Sequence, residues 1–241
     1  MNPTAAIVII GNEILSGRTQ DINIQYLAQK LSEIGIQLKE IRIIPDHKQT
    51  IIEVISSIKS KYDYIFTTGG IGPTHDDITS DAIAAAFNLP LELNQEAYNL
   101  LKACYEKYNK PLNAAREKMA YIPRGGVLIN NPVSTAPGFI IENIYVLAGV
   151  PHIMQAMFNG IVEKLEHGTK ITSKQVDVMI GESTIAMDFA WLQDKYPEVE
   201  MGSYPFETKD NKHGTSLVLR SVDTKSLEKS FSELLTILEK Y

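Results

Sequence analysis

Cysteine is almost absent: Cys104 is the only one in 241 residues. A single thiol forms no internal disulfide, so a reducing, cytoplasmic setting is expected and the fold must rest on its apolar core. Cys104 lies in a helical pattern and reads as a packing residue rather than a nucleophile. Long apolar runs are also missing. Ala5–Ile10 is far too short to span a bilayer and has no basic segment ahead of it, so no membrane association is expected. Positive charge is not in excess. The net charge of −6 excludes broad attraction to nucleic acid or anionic lipid. There is no internal repeat and no low-complexity tract. What remains, 44% apolar and 22% charged residues, is the composition of a globular protein. The length suits one large domain or a large and a small one.

One stretch organises the rest. Tyr62–Phe66 is aromatic and β-branched and reads as a buried strand running into Thr67 and Thr68. Gly69, Gly70 and Gly72 follow, then Pro73–Thr74–His75–Asp76–Asp77, then an apolar helix to Phe87. Glycines at such a place let backbone N–H groups approach an anion, and the helix adds the positive end of its dipole. The loop has neither the Lys-Ser/Thr ending of a P-loop nor the third glycine of the dinucleotide fingerprint. It carries adjacent carboxylates where a phosphate would sit, and these repel phosphate unless a cation lies between. The loop therefore reads as a phosphate cradle with a divalent metal. The plainer alternative is a tight turn in which Asp77 or Thr79 only caps the helix.

Strands alternate with helices on both sides of this stretch. Ala5–Ile10 is a buried strand, and Gly11–Asp21 a polar loop. A helix with Ile24, Leu27, Leu31 and Ile34 on one face ends at Gly35. Ile36–Ile44 is the second strand, broken by Pro45–Asp46–His47, and Gln49–Lys61 the second helix with Ile52, Ile55 and Ile58 inward. Further on, Gln95–Asn109 and Asn113–Tyr121 read as helices, and Val127–Ile129, Phe139–Ile141 and Ile144–Leu147 as short strands. Pro151 opens a helix running to about Glu166. This order predicts right-handed βαβ units and a mainly parallel sheet, hence an α/β fold. The loops at Gly11, Pro45, Gly69 and Gly149 then share the carboxyl edge, where ligands bind. Three of them carry acidic residues: Glu13, Asp46 and Asp77.

Glu166–Ser173 reads as a linker between a domain over residues 1–168 and a smaller one over 174–241. In the latter, Val176–Ile180, Ser183–Lys195, Val199–Tyr204, Thr215–Ser221 and Thr224–Lys240 give a β-α-β-β-α order with helices on one face. Met187 with Trp191, and Leu227 with Phe231, sit four apart and read as core pairs. Acidic residues outnumber basic ones from Lys174 onward and there is no Gly-x-x-Gly clamp, which counts against RNA binding.

The stretch Thr67–Thr79 resembles the MoaB/Mog molybdopterin-binding family, and within it the chain is similar to the N-terminal part of the competence/damage-inducible CinA family. Gly11–Asn12–Glu13–Ile14–Leu15, Asp21–Ile22–Asn23, Ile44–Pro45–Asp46, Asn131–Phe139 and Gly149–Val150–Pro151 carry the likeness further, and Gly202–Ser203–Tyr204–Pro205 extends it into the small domain. Ser134, Ala148 and Ile153 depart from the pattern and suggest a separate, short branch without the deamidase domain of the long CinA form.

The resemblance implies a three-layer α/β/α domain. It places Asp46 and Asp77 as catalytic and metal-holding residues, with Gly11, Glu13, Asn23, Thr68, Gly69, Gly70, Gly72, Pro73, Thr74, Gly149 and Pro151 around a nucleotide or pterin. Glu13 reads equally as a ligand to metal or ribose and as a side chain that only hydrogen-bonds a neighbouring loop. His47, His75 and His152 read as surface residues. The first expectation is Mg-, Mn- or Co-dependent hydrolysis of a nucleotide pyrophosphate such as ADP-ribose. The alternative is molybdopterin binding or adenylyl transfer in molybdenum cofactor metabolism. A homodimer is expected.

Overall fold

The first strand explains the layering. β1 (Thr4–Ile10) is buried from Ala5 onward because both its faces are covered. Ala6, Val8 and Ile10 join one core cluster, while Ala5, Ile7 and Ile9 join another on the opposite face. Period-two alternation is thus replaced by a continuous apolar run, as in parallel sheets with helices on both sides. The structure is a computed structural model that describes residues 2–241. The chain divides into two units, Met1–Gly168 and Thr169–Tyr241.

In the first unit β1 is followed by α1 (Asn12–Leu15), α2 (Asn23–Glu33), β2 (Gln37–Ile44), α3 (Lys48–Ile58), β3 (Tyr64–Thr68) and α4 (Thr79–Ala86). An excursion comes next: β4 (Leu91–Leu93), α5 (Gln95–Lys107), α6 (Ala114–Glu117) and β5 (Tyr121–Pro123). The chain returns through β6 (Val127–Ile129), β7 (Gly138–Ile141) and β8 (Ile144–Leu147) and ends in α7 (Pro151–Asn159). The main sheet has the order β2-β1-β3-β8-β7-β6. Its first four strands are parallel, and β7 and β6 close it antiparallel. α3 and α4 cover one face through Ile51, Ile55, Ile58, Ala82 and Ile83. α2 and α7 cover the other through Leu27, Leu31, Met154, Met157 and Phe158. The mainly parallel α/β sheet is therefore the observed one.

Several local expectations are corrected. The polar loop after β1 contains the one-turn helix α1. On α3 it is Ile51, not Ile52, that is fully buried with Ile55 and Ile58, because Ile51 keeps the four-then-three spacing of a single helical face. α7 stops at Asn159, capped by Gly160, and only a single turn of tighter helix, Val162–Lys164, follows. The expected helix over 113–121 is α6, a short tight turn at Lys118–Ala120 and then β5, which pairs antiparallel with β4. That pairing with Leu91–Leu93 is long-range, so no local pattern announces it.

The second unit holds β9 (Thr172–Val178), α8 (Glu182–Lys195), β10 (Glu200–Glu207), β11 (His213–Ser221) and α9 (Thr224–Leu238). Its antiparallel sheet has the order β10-β11-β9. Ile185, Phe189 and Leu192 of α8 meet Leu227, Leu234 and Ile237 of α9 over Leu217 and Leu219. Leu227 is buried with Phe231 packed beside the cluster, as expected. Met187 and Trp191 are not core: they are 84% and 51% exposed. They share a face, but Ile185, Phe189 and Leu192 form the face that packs.

Candidate functional site

Strand register brings the loops level. Ile10 stands opposite Ile44, Ile9 opposite Thr68, and Thr68 opposite Leu147. The loops after β1, β2, β3 and β8 therefore leave the sheet at one edge. The β6–β7 turn joins them, because β6 runs antiparallel to β7 and so in the sense of β8. The sheet order reverses around β1, whose neighbours β2 and β3 both come later in the chain. Such a switch point opens a crevice above the strand ends.

The crevice is a cleft of about 630 Å³, a size typical of small-molecule sites. Glu13, Asp46, Gly69, Gly70, Gly72, Pro73, Asp77, Gly149 and Pro151 line it, all of them expected from the sequence. Asn23 and Thr68 instead line a side chamber of about 60 Å³, which shares Glu13, Gly69, Gly149 and Pro151 with the cleft. Gly11 and Thr74 line neither, and their part is to hold the loops. The cleft is also lined by Tyr105 and Met119, which the sequence reading missed, and by Asn131 and Ser134, which it placed in a family-like motif without giving them a part in the site.

Hydrogen bonds tie the loops to one another. The Asp46 Oδ2 accepts from the Asn12 amide at 2.8 Å, joining the second loop to the first. The Asn23 Nδ2 donates to the Gly149 carbonyl at 2.8 Å, joining the first to the fourth. The Gly69 amide donates to the Leu147 carbonyl. Thr79 closes the glycine loop: its hydroxyl donates to the Gly69 carbonyl at 2.9 Å and its amide to the Gly70 carbonyl. Neither Asp77 nor Thr79 caps α4, which has no side-chain cap. The Asp77 Oδ2 instead accepts from the amide and hydroxyl of Thr74, at 2.7 and 2.5 Å. The single proton of that hydroxyl is shared with an Asp76 oxygen, also 2.5 Å away, and this bond holds the Asp76 carboxyl below its ordinary pKa. Lys118 donates to the Thr74 carbonyl at 2.6 Å and so braces the acidic loop from outside. In the β6–β7 turn Asn131 is buried and uses both ends of its amide. It donates to Ser134 and to the Ala136 carbonyl, and accepts from the amides of Val133 and Ser134.

Glycine is required at the floor. Gly69 and Gly70 have φ of +102° and +69°. A Cβ at Gly69 would lie 2.2 Å from the Ile10 carbonyl oxygen, and one at Gly70 2.1 Å from the Thr79 hydroxyl. Three side-chain atoms nearby are buried without a hydrogen-bond partner: Asn23 Oδ1 and the hydroxyls of Thr67 and Thr68. Charge in the cleft is one-sided. Glu13, Asp46, Asp76 and Asp77 line it, and among the described residues no lysine or arginine does. Nor do three His, Cys, Asp or Glu side chains among the described residues converge as a metal cage. No helix among them is long and apolar enough to cross a membrane.

Residues 6–167 match the family model described as "Probable molybdopterin binding domain", and residues 170–241 the one described as "FAD synthase, middle domain". A protein of Archaeoglobus fulgidus is 37% identical over 83% of this chain and 84% of its own length. A CinA-like protein of Thermosipho melanesiensis is 34% identical over 82% of this chain, a stretch that makes up 50% of that protein. A crystal structure described as the protein CinA, of unknown function, from Thermoplasma acidophilum superposes with a TM-score of 0.63 at 31% identity, over 68% of this chain and 98% of that one.

Proposed function

The chain belongs to the molybdopterin-binding domain family, among its CinA-like members, and from that premise we propose that it binds a phosphorylated pterin of the molybdopterin class in the cleft and acts on it by adenylyl transfer. The observation that carries the reading is the bare-backbone floor at Gly69 and Gly70. A phosphate over it meets main-chain N–H groups rather than side chains. The Gly69 amide is already taken by Leu147, so the amides of Gly70, Ile71 and Gly72 are the donors we assign to the phosphate. Fixed donors of this kind stabilise charge that develops on a phosphoryl oxygen.

An acidic cleft without a basic residue requires a cation beside any phosphate. The donors on offer are carboxylate oxygens, which suit a hard ion such as Mg²⁺ completed by ligand phosphates rather than a structural zinc. Asp46 and Asp77 would hold it, each oriented through its other contact, to Asn12 and to Thr74. The ion, when bound, draws charge from the phosphoryl group. The same two carboxylates favour a second reading, hydrolysis of a nucleotide pyrophosphate such as ADP-ribose.

Product analysis separates the two. Protein incubated with ATP, Mg²⁺ and a pterin phosphate should yield an adenylylated pterin, whereas AMP released from ADP-ribose would favour hydrolysis. Failure to bind either at millimolar concentration would overturn both. Asp77→Asn should keep the fold, since its amide oxygen still accepts from Thr74. It should lose about a hundredfold in turnover, roughly 2.7 kcal/mol.

A further inference from the structure

We infer that the end of the cleft nearest β6 and β7 is a stacking subsite for the planar ring of the ligand, with Tyr105 as its platform. The strand order supplies the map. Along the edge from β2, the cleft residues run Asp46, Glu13, Gly69 and Gly149, with Ala136 of the β6–β7 turn at the far end. Tyr105 and Met119 arrive from the excursion between β3 and β6. They pack with Ala136 against one satellite cluster of Ala97, Leu101 and Ala120, so the three sit together. The cleft thus joins its acidic loops to an apolar patch that carries one aromatic ring.

The ring of Tyr105 is half-buried and held. The guanidinium of Arg116 lies 4.3 Å from its centroid, and Arg116 is itself anchored to the Pro111 carbonyl at 2.6 Å. A fixed ring with a cation on one side is a good stacking platform for a heterocycle on the other. Met119 also lies beside Gly72 and Asp77, so the subsite adjoins the glycine loop and is within reach of a ring joined to a phosphate bound there. The inference rests on the ligand reading above only in requiring a ring joined to phosphate. Stacking accepts any planar heterocycle, so the subsite admits both pterin and adenine.

Titration calorimetry with Mg²⁺ present tests it on the intact chain, using ADP, neopterin monophosphate and inorganic pyrophosphate. Tyr105→Ala should weaken ADP and the pterin phosphate about tenfold or more and leave pyrophosphate unchanged. Tyr105→Phe and Tyr105→Trp, which keep the ring and the packing, should retain wild-type affinity or exceed it. An equal loss for all three probes in Tyr105→Ala, no loss for the ring-bearing pair, or weakened ring binding in Tyr105→Phe and Tyr105→Trp would overturn the subsite. Wild-type protein that binds pyrophosphate but gains nothing from an attached ring would overturn the subsite and leave the phosphate floor standing. Binding of none of the three would overturn the floor and the subsite together.

Discussion

Gly69 and Gly17 show how differently two left-handed glycines are constrained. Both have positive φ, but a Cβ at Gly69 collides with the Ile10 backbone while one at Gly17 meets nothing within 4 Å. Gly17→Ala should therefore cost only the left-handed strain, about 1–2 kcal/mol. Gly69→Ala adds a backbone displacement between β1 and β3, and its melting temperature should fall well below that of Gly17→Ala. Equal melting temperatures would show that the floor yields easily. Asp76 gives a second residue-level test. Hydrogen bonding from the Thr74 hydroxyl lowers its pKa. Since the folded value is the lower one, the contribution of the bond is present above the unfolded pKa and lost as pH falls through the folded one. Thr74→Val should move the Asp76 carboxyl titration upward in NMR; an unmoved titration would assign the shift elsewhere. The sequence marked Asp46, Asp77 and the glycines because short motifs carry them. It could not mark Tyr105 and Met119, which reach the cleft from a satellite cluster through contacts that no spacing encodes.

Helices were legible where one apolar face dominates and illegible where two compete. α8 is the clear case. Its residues at 185, 189 and 192 pack inward, while 187 and 191, with the same spacing rule, face solvent. Periodicity identifies both stripes and ranks neither. Truncation ranks them: Phe189→Ala should cost about 3–5 kcal/mol, whereas Met187→Ala should stay within about 0.5 kcal/mol, both read by urea unfolding. A comparable loss at Met187 would mean that its face is covered in solution. The parallel strands β1, β3 and β8 are legible because their cores are apolar and buried, and the edge strand β2, interrupted by Lys39, Glu40 and Arg42, because its branched residues run between Gly35 and Pro45. β4 and β5 were missed because three residues each, paired across the whole of α5 and α6, leave no local signature.

At the scale of the whole molecule, each unit has its own core, one around Ala6, Val8 and Ile65 and the other around Ile185 and Leu219. Lys170 is exposed between them. Brief trypsin treatment should cut there and leave two resistant fragments; early cleavage within either core instead would argue against separate domains. The order β2-β1-β3-β8 has a consequence in time. β1, β2 and β3 are joined by short helical crossovers, but the second edge of β3 waits for a partner made only after residues 69–143 have been synthesised. Closing so long a loop is slow. Pulsed hydrogen exchange during refolding should therefore protect the Gly11 amide, bonded to Ile44, before the Gly69 amide, bonded to Leu147. The floor of the cleft would then be among the last parts of the sheet to form, and ligand binding could begin only once the nascent chain had closed it.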